Sequence, residues 1–114
     1  TPALRATAPE TVAAFLEAYA DALLANREAL AAAAHAETGY PVEPRLNSVE
    51  LPRTANQLRQ AAAAARERSW TRPTIDTQAG IRSMHEPLGR AAMVFGPNNF
   101  PFAFNAVAGG DFAA

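Results

Sequence analysis

The 114-residue sequence predicts an α/β protein: helices first, then extended segments, then a buried strand that opens into a further helix. Three observations lead there. Apolar residues recur at helical spacing as far as Arg68. That period is lost after Trp70. A short apolar run, Ala91-Ala92-Met93-Val94-Phe95, then feeds the joint "GPNNFPFAF".

The first helix is announced by Thr7-Ala8-Pro9-Glu10. Thr7 stands at a capping position, Pro9 suits the first turn, and Glu10 can reach back to complete a capping box. Val12, Phe15, Leu16, Tyr19 and Leu23 form its apolar stripe. Asn26 is a second cap position, so the alanine-rich run Arg27 to Thr38 is either a separate helix or the continuation of the first beyond a flaw. Gly39 stands where a left-handed C-cap closes it. Tyr40 to Pro44 is a connector, because two closely spaced prolines forbid regular helix.

The next helix runs from Arg45 to Arg68, with Leu46, Val49, Ala55, Leu58, Ala62 and Ala65 on its inner side. Pro52 removes the N–H that would bond Ser48, which predicts a kink or a restart. The alanines from Ala61 to Ala65 favour helix and allow close approach of a neighbour. Beyond Trp70 two short extended segments flank a turn at Ala79-Gly80, and Ile81, Ser83 and His85 alternate with Arg82, Met84 and Glu86. A turn at Pro87-Leu88-Gly89 leads into the strand Ala91 to Phe95. The last helix begins near Phe100 or Pro101 and is still running at Ala114. A buried strand needs parallel neighbours, and the sequence supplies none. The order therefore reads as the opening of a longer α/β chain. In isolation it is expected to expose apolar surface and to lack a cooperative transition.

Composition narrows the function classes. Apolar residues make up 49%, the net charge is -1 and the isoelectric point is near 6.1, so no basic excess exists to neutralise phosphates and nucleic acid is not an expected partner. Cysteine is absent, which excludes disulfides, a Cys-based metal site and a thiol nucleophile within these residues. No apolar run reaches the roughly 18 residues of a membrane span, and the N-terminus lacks the pattern of a signal peptide. A cytoplasmic protein is the expectation.

A strand end that leads through a short loop into a helix N-terminus is where open α/β sheets bind ligands. Phe95-Gly96-Pro97-Asn98-Asn99 occupies that place. A neutral carboxamide there can donate to an oxyanion without titrating; the plainer reading makes both asparagines turn and N-cap residues. No GxGxxG fingerprint is present.

"GPNNFPFAF" resembles the strand-to-helix joint of the aldehyde dehydrogenase superfamily. The rest of the chain agrees in order. "FLEAYADALLANREALAAAAHAETGYP" resembles the family's N-terminal helices ending in Glu-Thr-Gly, "ELPRTANQLRQAAAAAR" its next helix, and "HEPLGRAAMVFGP" the lead-in to its strand. The resemblance runs from about Arg5 to Ala114. "NFPFAF" with "AGGD" is most similar to the NADP-preferring branch that includes ketoglutarate-semialdehyde and fatty-aldehyde dehydrogenases. Two departures stand out: Asn98 where many members carry tryptophan, and an apparent extra residue between Phe104 and Gly109-Gly110.

The resemblance implies an NAD(P)-dependent oxidoreductase that converts an aldehyde to a carboxylic acid through a cysteine thiohemiacetal and thioester. Asn99 matches the carboxamide that holds the oxyanion. Phe95, Gly96, Pro97 and Asn98 match the backbone lining the nicotinamide end of NADP or NAD. The nucleophile and base would lie beyond Ala114, so these residues alone would be inactive. It also implies a Rossmann-like cofactor domain. Residues 1–70 would be its N-terminal helical segment, 71–89 extended segments of the oligomerisation region, and 90–114 its first, incomplete strand-loop-helix. An aldehyde substrate, no metal, no membrane and a homodimer or homotetramer complete the expectation. The competing reading is a small alanine-rich helical binding module in which the joint is only a cap. Among other residues, His35, Glu37, His85 and Glu86 read as surface, local pairing or cap groups, and Phe100, Phe102 and Phe104 as core. Gly109 and Gly110 read as close-packing positions, and Asp111 has no identifiable partner.

Overall fold

The computed structural model describes residue 3, residues 6–86 and residues 92–104. Helix α1 (Pro9–Ala25) and helix α2 (Arg27–Thr38) are parted by one residue, Asn26. Its φ of -105° and ψ of 14° leave the helical range, and its side-chain amide donates back to the Ala22 carbonyl at 2.8 Å. The predicted capping box does not form. Helix α1 starts after Ala8, and the Thr7 hydroxyl donates to the Ala3 carbonyl at 3.1 Å. Glu10 instead meets Arg66, because a charge-assisted bidentate pair outcompetes a neutral backbone donor.

Helix α2 ends as predicted. Gly39 adopts φ 73° and its N–H donates to the His35 carbonyl at 2.8 Å, while His35 Nδ1–H donates to the Tyr40 carbonyl at 2.6 Å. Beyond the Pro41 bend the backbone winds as a π-helical segment, Val42–Glu50, and then as helix α3 (Leu51–Glu67). Leu51 N–H donates to the Leu46 carbonyl, five residues back. The break expected at Pro52 is thus a change of hydrogen-bond register just ahead of it: proline's missing N–H falls in the first turn of α3, where no helical partner is required.

Helices α1 and α3 are antiparallel, as Glu10 and Glu17 meet Arg66 and Asp21 meets Arg59. Their shared core consists of Ala13, Leu16, Ala20, Leu23, Ala55, Leu58 and Ala62. Four alanines on that contact face let the backbones approach closely. The apolar stripe read from the sequence is therefore displaced. Phe15 and Tyr19 lie at the exposed edge, stacked on one another at 6.4 Å. Val49 is 56% exposed rather than core, since the wider π turn gives its inward place to Glu50. A second cluster joins Ala31, Ala34, Leu46 and Leu51, with Tyr40, Val42 and Phe102 packed against it.

After a 3₁₀ turn at Ser69–Thr71 the chain forms an antiparallel hairpin of β1 (Thr74–Asp76) and β2 (Ile81–Ser83), with Ile75 opposite Arg82. Asp76 accepts the Gln78 and Ala79 N–H groups in the turn, and Gly80 supplies φ 66°. This is the hairpin expected around Ala79-Gly80. The described residues are mostly helical, with this hairpin as their sheet. The buried strand expected at Ala91 to Phe95 is not formed by its described residues: 92–97 join no ladder among the described residues, and Met93 and Phe95 are 80% and 87% exposed. The physical reason is the one that made its neighbours necessary, since among the described residues no strand lies beside it to take its peptide hydrogen bonds. The turn at Pro87-Leu88-Gly89, Ala91, and the positions Gly109, Gly110 and Asp111 lie outside the described residues. Among the described residues no helix is long and apolar enough to cross a membrane.

Candidate active site

A row of residues spaced by four, Leu46, Glu50, Thr54, Leu58 and Ala62, runs along the inner side of the π segment and α3, all at most 3% exposed. Its second member is a carboxylate. Glu50 Oε1 accepts the N–H of Phe102 at 2.8 Å and of Ala103 at 3.1 Å. Those donors open the helical turn after the joint, where backbone N–H groups have no partner within their own helix. Glu50 thus caps that turn from more than fifty positions upstream. Its Oε2 is buried with no hydrogen-bond partner among the described residues. Phe102 extends the anchorage by packing on the Leu46–Leu51 cluster.

Arg45 supplies the second hold. Its guanidinium sits 4.2 Å from the Tyr40 ring centre and 5.1 Å from that of Phe100, within cation–π range of both, and Nη2 donates to the Asn99 carbonyl at 2.5 Å. In an α-helix, residues five apart diverge by about 140°. The π register, which bonds residues five apart, brings Arg45 and Glu50 round to the same side. Glu43, at the non-helical start of the segment, accepts hydrogen bonds from Ser48 and Asn47. These hold its carboxyl below the ordinary range.

The joint lies against this frame. Asn98 and Asn99 occupy a turn in which Phe100 N–H donates to the Pro97 carbonyl at 3.4 Å. Both are exposed, Gly96 is half-buried and Phe95 projects into solvent. Asn99 is held through its backbone carbonyl, while its carboxamide makes no hydrogen bond among the described residues. The cap reading of Asn99 is not what the geometry shows, because the donors of Phe102 and Ala103 go to Glu50. Phe100 meets Phe104 edge-on at 5.1 Å. Glu37, His85 and Glu86 are exposed and lie in other segments of the fold. Among the described residues no three His, Asp or Glu side chains converge to hold a metal.

Sequence reasoning missed Glu50 and Arg45. A signal for Glu50 existed, since it interrupts an otherwise inward row at a spacing of four. Arg45 carries none, because its role depends on where the joint returns.

The family model described as "Aldehyde dehydrogenase family" matches residues 1–109. The chain belongs to that family. An alpha-ketoglutaric semialdehyde dehydrogenase of Azospirillum brasilense is 43% identical over 113 residues, covering 90% of this chain and 20% of its own. Probable aldehyde dehydrogenases of Mycobacterium tuberculosis and Mycobacterium bovis are each 35% identical over 100 residues, covering 88% of this chain and 19% of theirs. No solved structure matches. The chain spans about a fifth of the length of the curated relatives it matches.

Proposed function

We propose that the chain is the N-terminal part of an NAD(P)-dependent aldehyde dehydrogenase, and that Asn99 supplies the carboxamide donor for the oxyanion. The observation that carries this reading is the division of labour at Asn99: its backbone is tied down while its amide is exposed and makes no hydrogen bond among the described residues. A donor meant for charge that develops only in the transition state must be held in place and yet be free of other partners.

In this reading an aldehyde carbonyl lies against the joint, and a cysteine thiolate from elsewhere in the dehydrogenase attacks it. The Asn99 Nδ2–H group donates to the oxygen as it gains charge, and remains neutral throughout. The backbone of Phe95, Gly96, Pro97 and Asn98 would hold the nicotinamide end of the cofactor. Its fit rests on the turn at Pro97, Asn98 and Asn99, which lies exposed beside the half-buried Gly96 and leaves backbone open to a flat, carboxamide-bearing ring. When bound, NAD or NADP would supply the hydride acceptor.

Residues 1–70 and 90–114 would belong to the cofactor domain and 71–89 to the oligomerisation region of a cytoplasmic homodimer or homotetramer. The relative from Azospirillum, named for a ketoglutaric semialdehyde, favours a short semialdehyde that carries a carboxylate as substrate. In the full-length dehydrogenase, Asn99→Ala should lower kcat by roughly 10²–10³ with cofactor affinity nearly unchanged. Asn98→Ala should be much milder, since that residue contributes backbone. Steady-state kinetics decide it: full turnover in Asn99→Ala overturns the assignment.

A further inference from the structure

We infer that Glu50 and Arg45 are positioning residues that act through Asn99, an inference that rests on the oxyanion reading above. Two fixed points bracket the amide. Arg45 holds the carbonyl of Asn99 itself, and Glu50 holds the N–H groups of Phe102 and Ala103 three and four residues later. Between them lie Phe100, under the Arg45 guanidinium, and Pro101. Phe102 is seated in the second core cluster.

The placement of Glu50 is costly. It is 3% exposed in a row otherwise filled by leucine, alanine and threonine, and one of its carboxylate oxygens is unpartnered among the described residues. An apolar side chain of similar size would pack there without the desolvation of a charge. What the carboxylate adds is directional. One oxygen accepts two successive N–H groups, which fixes both where the turn after the joint begins and which way it points. With the Asn99 carbonyl pinned as well, the amide keeps little freedom beyond rotation of its own side chain.

The test is a set of kinetic cycles in the full-length dehydrogenase with Glu50→Ala, Glu50→Gln, Arg45→Met and each combined with Asn99→Ala. Glu50→Ala should lower kcat by roughly 10²-fold, the effect of about 1 Å of misplacement, while KM for aldehyde and for cofactor stays close to wild type. Glu50→Gln, which keeps an acceptor oxygen, should retain most of the turnover. Combined with Asn99→Ala, either clamp variant should be no slower than Asn99→Ala alone, since residues acting through one group are not additive. If Glu50→Ala does not fold, Arg45→Met at its half-exposed position carries the same cycle.

Full kcat in both clamp variants, or losses that multiply with that of Asn99→Ala, would reduce the pair to a structural role and overturn the inference while sparing the oxyanion reading. Full kcat in Asn99→Ala overturns both.

Discussion

Gly39 and Arg68 close two helices in the same left-handed conformation, at φ 73° and φ 57°, yet only one of them is a residue that adopts it without strain. A Cβ on Gly39 would meet nothing within 4 Å, so Gly39→Ala isolates the backbone penalty, about 1–2 kcal/mol. Arg68→Gly should recover about 1 kcal/mol of the same penalty. In the full-length protein, denaturant midpoints followed by far-ultraviolet circular dichroism should fall in the order Arg68→Gly, wild type, Gly39→Ala. The contrast also shows what a sequence discloses at this scale. Glycine after the last periodic residue announced its cap, whereas an arginine in that conformation has no compositional mark. The same holds at the joint: tandem asparagines drew notice as a ligand-facing turn, but the arginine that holds one of them did not.

At the scale of elements, α1 and α3 are joined by their shared core and by a fork in which Arg66 meets both Glu10 and Glu17. Hydrogen bonds from Arg66 pull both carboxyls below the ordinary glutamate range. The same contacts raise the guanidinium's basicity. A carboxyl depressed in the folded state stabilises it at pH values above its unfolded pKa, about 4.3. That contribution is lost as the pH falls through the depressed values. The groups are solvent-exposed, so the effect is modest. Helicity recorded on acid titration should decline in that range, and Arg66→Gln should flatten the decline. Leu58→Ala removes a side chain 1% exposed in this core and should cost about 2–5 kcal/mol, read from the same denaturation curves. Periodicity located these helices well, but placed the α1 stripe on Phe15 and Tyr19 because it weights large residues. Antiparallel contact selected the alanine-bearing face instead. Nor could period alone find the π segment, where proline displaced the hydrogen-bond register.

Across the whole molecule, large apolar side chains remain in solvent: Phe15, Ile75, Ile81, Met84, Met93 and Phe95 are each more than half exposed. The isolated chain should therefore bind the dye ANS more strongly than a compact domain of its size, while keeping its helical far-ultraviolet signal. Weak dye binding would show that these groups find cover within the chain. The missing strand belongs to this scale too. Its residues were legible as a strand, but a strand exists only with partners, and partners are a property of the assembly. The π segment carries a last consequence, in the currency of insertions and deletions. Removing one residue between Arg45 and Glu50 would let the helix relax to its ordinary pitch, with every charged group chemically intact. The two would then stand four positions apart and about 40° around an α-helix, still on one side, whereas ordinary pitch at the present length would part them by about 140° and take Arg45 from the Asn99 carbonyl. When homologous chains are aligned or recombined, the length of this short stretch and its helical register are therefore coupled: the present length goes with the π register, and one residue fewer goes with the α register.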